Sequence, residues 1–278
     1  MISKIISTLV PRPIIECVYD RYLMSKFSQL TAPNEVLKGV GRGKRAFLLA
    51  TGPSIKLEDL TKLKGEDCYS VSNFFLHPDI KIINPKIHFF TPYHKPLILS
   101  NYLEWLKKAD RELPRDTTIC LGHTMKQLVE TNKIFRKRKI YYLILSPVRQ
   151  SVQLNIVRPI LAPQTVPLMV LPLLIYMGYS KIYLLGCDHN ALKDYGNRVT
   201  NFYTPSQEIR INATGENAWG NIIDVHEANI RLFNQYIKYL NLLDNSHINI
   251  INLSNSSWIN FIKKKQLSDV LREPFLHI

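Results

Sequence analysis

Short apolar runs alternate with amphipathic stretches along most of this chain. The clearest run is residues 182–185, which carries no charge and lies between Gly178 and Gly186. An apolar run of this length between turn residues is typical of a strand that is buried on both faces of a parallel sheet. Further short strands are expected at residues 45–50, 68–72, 87–90, 117–121 and 248–253.

Longer apolar or amphipathic stretches separate these strands and predict helices. We expect helices at residues 99–113, 124–130 and 166–177, and a long one from Asp224 onward. Steps of three and four place five residues on one face of the last helix, namely His226, Ile230, Phe233, Ile237 and Leu240. The alternation of strands and helices favours an α/β fold with a mostly parallel, doubly wound, Rossmann-like sheet.

One polar stretch interrupts this alternation. Residues from about 190 to 222 show no strong period and contain several Gly, Asn and Tyr. A stretch of this length without regular structure inside a compact domain usually serves as a functional loop, so we expect a lid here. The domain is expected to span residues 45–262, between a basic amphipathic segment at 1–44 and a basic segment at 263–278.

The basic flanks are part of a formal net charge of +14 on the whole chain. Residues 1–45 hold eight Lys and Arg against three acids, interleaved with apolar side chains. This pattern suits either an ordinary amphipathic helix packed on the body or a basic helix that lies against anionic lipid head groups. A second basic run at residues 133–139 suits either a solvated loop or contact with an anionic acceptor.

Cysteine spacing and hydropathy argue against several classes of protein. The four cysteines show no CxxC or Cys/His spacing, which indicates reduced thiols rather than a disulfide frame or a zinc site. No run reaches about 18 apolar residues, so no membrane span is expected. The first residues lack the small-residue cleavage site of a signal peptide. We therefore expect a cytoplasmic protein.

Polar residues stand where several of the expected strands end. These residues are Thr51, Asn73, Thr91, Asp188, His189 and Asn190. In open α/β sheets, ligands bind in the crevice outside the carboxyl ends of the strands. Gly52 and Ser54 also predict a tight turn into a helix start, whose amide groups suit an anion. The sequence therefore predicts a polar pocket at this edge of the sheet.

Three motifs carry a resemblance to a known family. Residues 51–54 read TGPS, residues 178–188 read GYSKIYLLGCD, and residues 252–257 read NLSNSS. Together with Asn73 at a second strand end, they resemble the bacterial sialyltransferase-like glycosyltransferases over residues 45–262. That family transfers 2-keto sugar acids, sialic acid or Kdo, from a CMP-activated donor to lipopolysaccharide or capsule glycans. The resemblance implies the same fold and the same class of reaction.

The resemblance also implies a donor site around the strand ends. Gly52, Pro53 and Ser54 would border the nucleotide, and Asn73 would bind its cytidine or phosphate region. The other donor-site candidates are Thr51, Thr91, Thr165, Gly186, Asn190, Tyr195 and Tyr203. Within this set, a threonine before the apolar helix would face the donor carboxylate and phosphate, and one of the two tyrosines would bind the leaving phosphate.

Five positions depart from the family pattern. Thr51 and Thr91 replace asparagines, and His189 and Asn190 replace aromatic residues that usually follow Gly-x-Asp. An ungapped placement puts Asp224 where the family has its catalytic histidine. These departures make Kdo a donor candidate beside sialic acid.

Transfer from a CMP-sugar needs a base for the acceptor hydroxyl, donors for the leaving phosphate and an anion near the developing positive charge. The candidates for this chemistry are Asp188, His189, Asp224, His226 and Glu227. His226 and His189 are alternative bases, and Asp188 is a base or a nucleophile. Each also has a structural interpretation, with His226 in the core, Asp188 capping backbone amides and Glu227 stabilising a helix start.

The implied partners are a CMP-activated sugar acid, a lipid-linked or lipopolysaccharide glycan acceptor and the anionic cytoplasmic surface of the inner membrane. No DxD motif occurs, so neither a metal nor a cofactor is expected. Two alternatives remain open: a Mg-ATP-dependent pterin-pyrophosphokinase-like enzyme, and a non-catalytic basic scaffold that binds polyanions. No sequence motif for specific nucleic-acid binding occurs.

Overall fold

A seven-stranded sheet forms the centre of the molecule. The computed structural model describes residues 10–190, 192, 201–210 and 221–273. The strands of this sheet are β1 (Arg45–Leu49), β2 (Asp67–Val71), β3 (Ile87–Phe89), β4 (Thr118–Gly122), β5 (Ile140–Leu143), β8 (Lys181–Leu185) and β9 (Asn249–Asn252). A second, two-stranded sheet pairs β6 (Leu145–Ser146) with β7 (Ile160–Leu161).

Helices connect the strands and cover the sheet. In the described residues they are α1 (Arg12–Thr31), α2 (Ile80–Ile83), α3 (Leu99–Glu112), α4 (Lys126–Thr131), α5 (Val166–Tyr176), α6 (Ile222–Leu243) and α7 (Leu267–Arg272). Short 3-10 helices follow β1 at Pro53–Leu57 and β2 at Ser72–Leu76. Most of these elements lie where the sequence predicts them. β5 is one that the sequence did not predict.

The strand order places a switch point in the middle of the sheet. All pairs of described strands in this sheet are parallel, in the order β5-β4-β3-β2-β1-β8-β9. The chain moves outward from β1 to β5 and then crosses back to place β8 on the other side of β1. Such a reversal opens a crevice outside the carboxyl ends of the two central strands. The predicted doubly wound α/β fold is confirmed.

Side chains of the central strands alternate between two cores. In β1, Ala46 and Leu48 belong to the core beneath α5 and α6, while Phe47 and Leu49 belong to the core beneath α3. The strand is buried on both faces because helices cover both sides of the sheet. This double burial accounts for the continuous apolar runs in the sequence.

The predicted face of α6 packs on the body only in part, through Phe233 and Leu240, which are partly buried against the core. The residues buried against the body are Val225, Ala228, Leu232, Tyr236, Tyr239 and Leu243. Ile230 and Ile237 are instead 59% and 39% exposed, and His226 is exposed as well. The prediction that His226 could be a core residue is therefore wrong. The helix carries two apolar stripes, and the one with the two tyrosines faces the core.

The segment before β1 packs directly on the domain. Thr31 donates from Oγ1 to the Val157 carbonyl at 2.8 Å, and the Asn34 amide donates to the Tyr142 carbonyl at 2.8 Å. These bonds hold α1 and the turn after it against the β5 side of the sheet. Among the described residues, no helix is long and apolar enough to cross a membrane.

Candidate functional site

The turns after β1 and β8 are in direct contact at the switch point. The Gly52 amide donates to the Gly186 carbonyl at 2.8 Å. A Cβ on Gly52 would lie 2.5 Å from that carbonyl oxygen and 2.6 Å from the Asp188 carboxyl carbon. Gly186 has a φ of +66°, and a Cβ there would lie 2.7 Å from the Ala50 carbonyl oxygen. Only glycine fits at either position, so the two turns depend on each other.

Asp188 joins the same two turns through Ser54. The Ser54 amide donates to Asp188 Oδ2 at 2.9 Å, and the Ser54 hydroxyl donates to Oδ1 at 2.5 Å. The Asp188 residue is only 2% exposed. Both of its oxygens therefore hold the Gly-Pro-Ser turn in place, which is the capping role that the sequence allowed. A catalytic role for Asp188 stays a prediction. We call Gly52, Ser54, Gly186 and Asp188 the strand-end site.

The segment after β9, residues 254–258, forms hydrogen bonds with the strand-end site. The Ser257 hydroxyl donates to the Cys187 carbonyl at 2.7 Å, and the Cys187 amide donates to Ser254 Oγ at 3.1 Å. The Trp258 amide donates to the Asp188 carbonyl at 2.9 Å. The three motifs that carry the family resemblance thus meet at one place in the fold.

His189 follows the strand-end site in a fixed orientation. Its φ is +48°, in the left-handed region, and its Nε2 lies 3.0 Å from the Tyr236 hydroxyl of α6. Burial among protein atoms lowers the pKa of His189 to about 4. The imidazole is consequently neutral at pH 7. General bases work best when their pKa lies near the working pH, so a lowered pKa weakens His189 as a base.

Asp224, His226 and Glu227 form a helix-start group on the first two turns of α6. Since α6 leads from the carboxyl end of β8 back to the start of the parallel β9, its first turn lies at the same edge as the strand-end site. All three side chains are exposed. Asn221 caps this helix start, because its Oδ1 accepts from the Ile223 amide at 2.9 Å. The group therefore faces solvent at the expected edge.

Asn73 lies at the end of β2 and is completely buried. His88 on β3 supports the turn before it, with Nδ1 2.7 Å from the Ser70 hydroxyl and Nε2 2.9 Å from the Ser72 carbonyl. Ser72 itself has a φ of +52°. Burial lowers the pKa of His88 to about 3, so the ring is a neutral structural support.

The Asn73 side chain is held by a group that we call the Glu208 cluster. Its members are Asn73, Trp105, Tyr203, Glu208 and Arg210. Glu208 Oε2 accepts from the Asn73 amide at 2.8 Å and from the Tyr203 hydroxyl at 3.0 Å, and it pairs with Arg210 at 2.7 Å. The Trp105 indole donates to Asn73 Oδ1, and the Arg210 guanidinium lies 4.2 Å from the Trp105 ring centroid.

Charge balance within the Glu208 cluster favours the ionised pair. Burial alone would raise the pKa of Glu208, but the hydrogen bonds and the charge of Arg210 outweigh burial and lower it. Burial likewise opposes the charge of Arg210, yet Glu208 raises its pKa above the ordinary value. A buried pair of this kind is costly to break, because removal of either partner leaves an unpaired charge.

The described part of the expected lid lies across the strand ends. The Phe202 amide donates to the Thr51 carbonyl at 3.1 Å, and the Phe202 ring packs 5.8 Å from Phe74 and 5.3 Å from His77, between ring centroids. Residues 201–210 thus run from the end of β1 to the Glu208 cluster. Of the lid candidates, Tyr203 lies in this segment, whereas Tyr195 lies outside the described residues.

The other donor-site candidates occupy the same edge. Thr51 and Asn190 are half-buried at the ends of β1 and β8, and Pro53 is half-buried in the turn between Gly52 and Ser54. Thr91 follows β3, and its carbonyl accepts from the Tyr102 hydroxyl at 2.5 Å.

Thr165 precedes α5, whose first turn also lies at the carboxyl edge because α5 runs back to the start of β8. The Thr165 hydroxyl is buried and finds no partner among the described residues. A helix start of this kind suits a negatively charged group.

The sequence did not reveal the role of Trp105, Glu208 or Arg210. Glu208 and Arg210 stand in the stretch without a period, and Trp105 is one of several apolar residues on α3. Their partnership depends on the lid segment folding back over β2, for which the sequence carries no pairing signal. An acid and an arginine two residues apart beside Tyr203 were the only local indication.

Solved structures of other proteins resemble this chain at low sequence identity. No family model matches the sequence. No curated protein matches it either. The sialyltransferase CstII from Campylobacter jejuni in complex with the substrate analogue CMP-3FNeuAc superimposes with a TM-score of 0.44 at 13% identity, covering 80% of this chain and 86% of that one. The structure of CstII in complex with cytidine-5'-monophosphate gives a TM-score of 0.44 at 15% sequence identity. That match covers 80% of this chain and 85% of CstII. Prephenate dehydrogenase from A. aeolicus gives a TM-score of 0.22 at 9% identity, covering 72% and 89%.

Proposed function

We propose that this chain is a glycosyltransferase that moves a 2-keto sugar acid, Kdo or a sialic acid-like sugar, from a CMP-activated donor to a glycan acceptor. The observation that carries the proposal is the contact between Ser54 and Asp188 at the switch point. It joins the two motifs that most specifically resemble the sialyltransferase-like family, at the edge where doubly wound sheets bind nucleotides. The acceptor is expected to be a lipid-linked or lipopolysaccharide glycan.

The donor would lie along the carboxyl edge between the strand-end site and the Glu208 cluster. Asn73 is buried beneath this edge, where its amide donates to Glu208, so it would act on the cytidine or phosphate region together with the Glu208 cluster. The turn at residues 52–55 and the start of α5 with Thr165 supply dipoles that suit the phosphate and the sugar carboxylate. Donors of this kind can stabilise the departing CMP, so we expect activity without a metal or cofactor.

His226 is the preferred base for the acceptor hydroxyl. His189 is held by Tyr236, and its pKa is lowered to about 4, which leaves it a weak proton acceptor. His226 is exposed at the same edge and can approach a glycan that enters from solvent. In this arrangement His189 positions the end of β8 and α6, while Asp224 and Glu227 surround the base with negative charge.

A ligand screen tests the proposal directly. The melting temperature of the full chain would be measured with CMP, CDP, UDP, ADP and GDP, each with EDTA and with Mg²⁺. We expect CMP to stabilise the protein equally well in both conditions, because ligands that bind only the folded state raise its stability. Stabilisation by ADP only with Mg²⁺ would instead identify a pyrophosphokinase-like enzyme. Stabilisation by no nucleotide, with salt-sensitive binding of polyanions, would identify a scaffold.

Turnover distinguishes donor binding from catalysis. The protein would be incubated with CMP-Kdo or CMP-sialic acid and glycan acceptors, and released CMP would be measured. We expect CMP to be released only when an acceptor is present, and at the same rate when EDTA removes metal ions. The Gly52→Ala variant is the negative control and should release less CMP, because its side chain would occupy the contact between the two turns and weaken donor binding.

A further inference from the structure

The α1 helix sorts its charges between two faces. Its two acids face the body, where Asp20 pairs with Arg149 at 2.5 Å and Glu16 accepts from the Gln150 amide at 2.9 Å. Its cations Arg21 and Lys26 are exposed on the other face, whereas Arg12, also exposed, donates to the Val148 carbonyl of the body at 3.2 Å. Within residues 12–31 no acid therefore faces away from the body. Packing on the body does not require this segregation, because a mixture of acids and bases on the outer face would keep the helix equally soluble.

Large apolar side chains occupy the same outer face. Ile14 is 52% exposed, Val18 is 62% exposed and Tyr22 is 48% exposed. They recur at steps of four and form one stripe along the helix, with Arg21 on one side and Lys26 on the other. The Lys26 ammonium lies 2.7 Å from the Tyr22 hydroxyl and 4.5 Å from the ring centroid. We call these five residues the outer face of α1.

A groove of about 610 Å³ runs beside this face, between α1 and residues 149–159. Three arginines line it, namely Arg21, Arg149 and Arg158, together with Met24 and Pro159. Two acids also line it, but Asp20 is paired with Arg149 and Glu16 accepts from the Gln150 amide. Arg21 and Arg158 form no ion pair with any described residue. The groove therefore adds guanidinium donors that suit a phosphate group next to an apolar stripe.

We propose that the outer face of α1 and its arginine groove form a surface that binds anionic phospholipid bilayers. Ile14, Val18 and Tyr22 would enter the boundary between head groups and acyl chains, where tyrosine is favoured. The flanking cations and the groove would take head-group phosphates. This inference goes beyond the proposed function, because it concerns how the protein is held at a surface and requires no donor or acceptor.

Charge favours a bilayer over the other partners for this face. A second copy placed on the same face would bring Arg21 and Lys26 of one chain near those of the other, and like charges repel. A nucleic acid or soluble polysaccharide would satisfy the cations and leave the apolar stripe exposed. An anionic bilayer matches both the stripe and the cations.

Vesicle sedimentation tests the proposal with the full chain and without any donor. Binding would be compared between vesicles of pure phosphatidylcholine and vesicles with 30 mol% phosphatidylglycerol, a composition of roughly the charge at which basic surfaces bind. The test variants are Arg21→Glu/Lys26→Glu and Val18→Asp. The matched control for the double variant is Arg136→Glu/Lys137→Glu, which changes the net charge by the same amount in the exposed basic run at residues 133–139.

We expect the wild type and the control to bind the phosphatidylglycerol vesicles, and both α1 variants to bind at least about tenfold more weakly. Circular dichroism would confirm that all variants fold. Equal weakening in the control would show that only net charge matters and would overturn the proposal, as would unchanged binding in both α1 variants. A dimer in light scattering that Val18→Asp dissociates would assign the face to a second copy. Because vesicle binding is measured without CMP, failure here leaves the proposed transfer reaction untouched.

Discussion

The Ser54 and Asp188 side chains that follow β1 and β8 are buried and hydrogen-bonded to each other, whereas the candidate side chains on the first two turns of α6 face solvent. Asp188 is 2% exposed and uses both carboxylate oxygens on Ser54. Asp224, His226 and Glu227 are all exposed, and the only ion pair of the group is from Glu227 to Arg231, at 3.3 Å, among the described residues. The strand-end site is thus held in a fixed arrangement by its own hydrogen bonds, whereas the helix-start group is accessible to solvent.

This difference separates two tasks in the proposed reaction. A nucleotide is the same in every turnover, so its site gains from rigid turns that lose no entropy on binding. An acceptor glycan must enter and leave, and an exposed base at the rim allows that. Changes at the strand ends should therefore alter stability and donor binding, and changes at the helix start should alter turnover alone.

The largest expected effect is on turnover. His226→Ala should lower kcat by roughly 10²–10⁴-fold, because the acceptor hydroxyl loses its base. Melting temperature and CMP affinity should stay at wild-type values, since the side chain is exposed. His247→Ala, at an exposed histidine after the other end of α6, is the matched control and should leave kcat unchanged. Wild-type kcat in His226→Ala would remove the helix-start group from the mechanism.

The strand-end site should respond in the opposite way. Gly52→Ala should lower the free energy of unfolding by about 1–3 kcal/mol, because its Cβ would overlap the Gly186 carbonyl and Asp188. CMP binding, measured by calorimetry, should weaken with it. Gly52 has a φ of −64°, so alanine adds no backbone strain and the effect reports the contact alone. Unchanged unfolding and CMP binding would show that the two turns can separate freely.

The Glu208 cluster should couple the lid to the donor. Glu208→Gln keeps the shape of the side chain and removes the charge that balances Arg210. We expect the KM for the CMP-sugar to rise about tenfold, which corresponds to the loss of one charge-assisted hydrogen bond of about 1.5 kcal/mol. The kcat at saturating donor should change little. A variant with lowered kcat and normal KM would place Glu208 in the chemical step.

The smallest expected effect is on the pH dependence of stability. The folded-state pKa of His189 is about 4, below the ordinary value near 6.5 that the unfolded chain has. The unfolded chain therefore binds more protons between these values, and stability is lost as the pH falls from about 6.5 to about 4.

His189→Gln tests this pH effect, because it removes a group that resists protonation. It should reduce the acid loss by about 1 kcal/mol, discounted for the partial exposure of the ring, in denaturant titrations at pH 7 and pH 4.5. An acid loss in His189→Gln as steep as that of the wild type would mean that His189 titrates normally in the folded protein.

The sequence predicted the parts of this molecule that depend on local pattern. Buried parallel strands need uninterrupted apolar runs, so β1, β3 and β8 were visible, and the polar residues that follow them marked the edge of the site. β5 was missed although residues 140–143 are apolar, because the basic run before it suggested a loop. The strand is recognisable only from its pairing with β4.

Other features depend on contacts that the sequence does not record. Both stripes of α6 are apolar, and the spacing of apolar residues in the sequence does not determine which stripe packs on the sheet. The Glu208 cluster joins α3, the end of β2 and the lid, three segments that are far apart in sequence. The capping role of Asp188 could be named as a possibility, but its partner Ser54 became evident only in the fold.

The most direct test of the central claim is to map CMP on the protein. Amide chemical shifts of the ¹⁵N-labelled chain would be followed by NMR while CMP is added in EDTA. We predict saturable shifts at residues 51–56, at Asn73 and at residues 186–190, with no effect of added Mg²⁺. Shifts confined to the arginine groove beside α1, or shifts that appear only with ADP and Mg²⁺, would contradict a CMP-sugar site at the switch point.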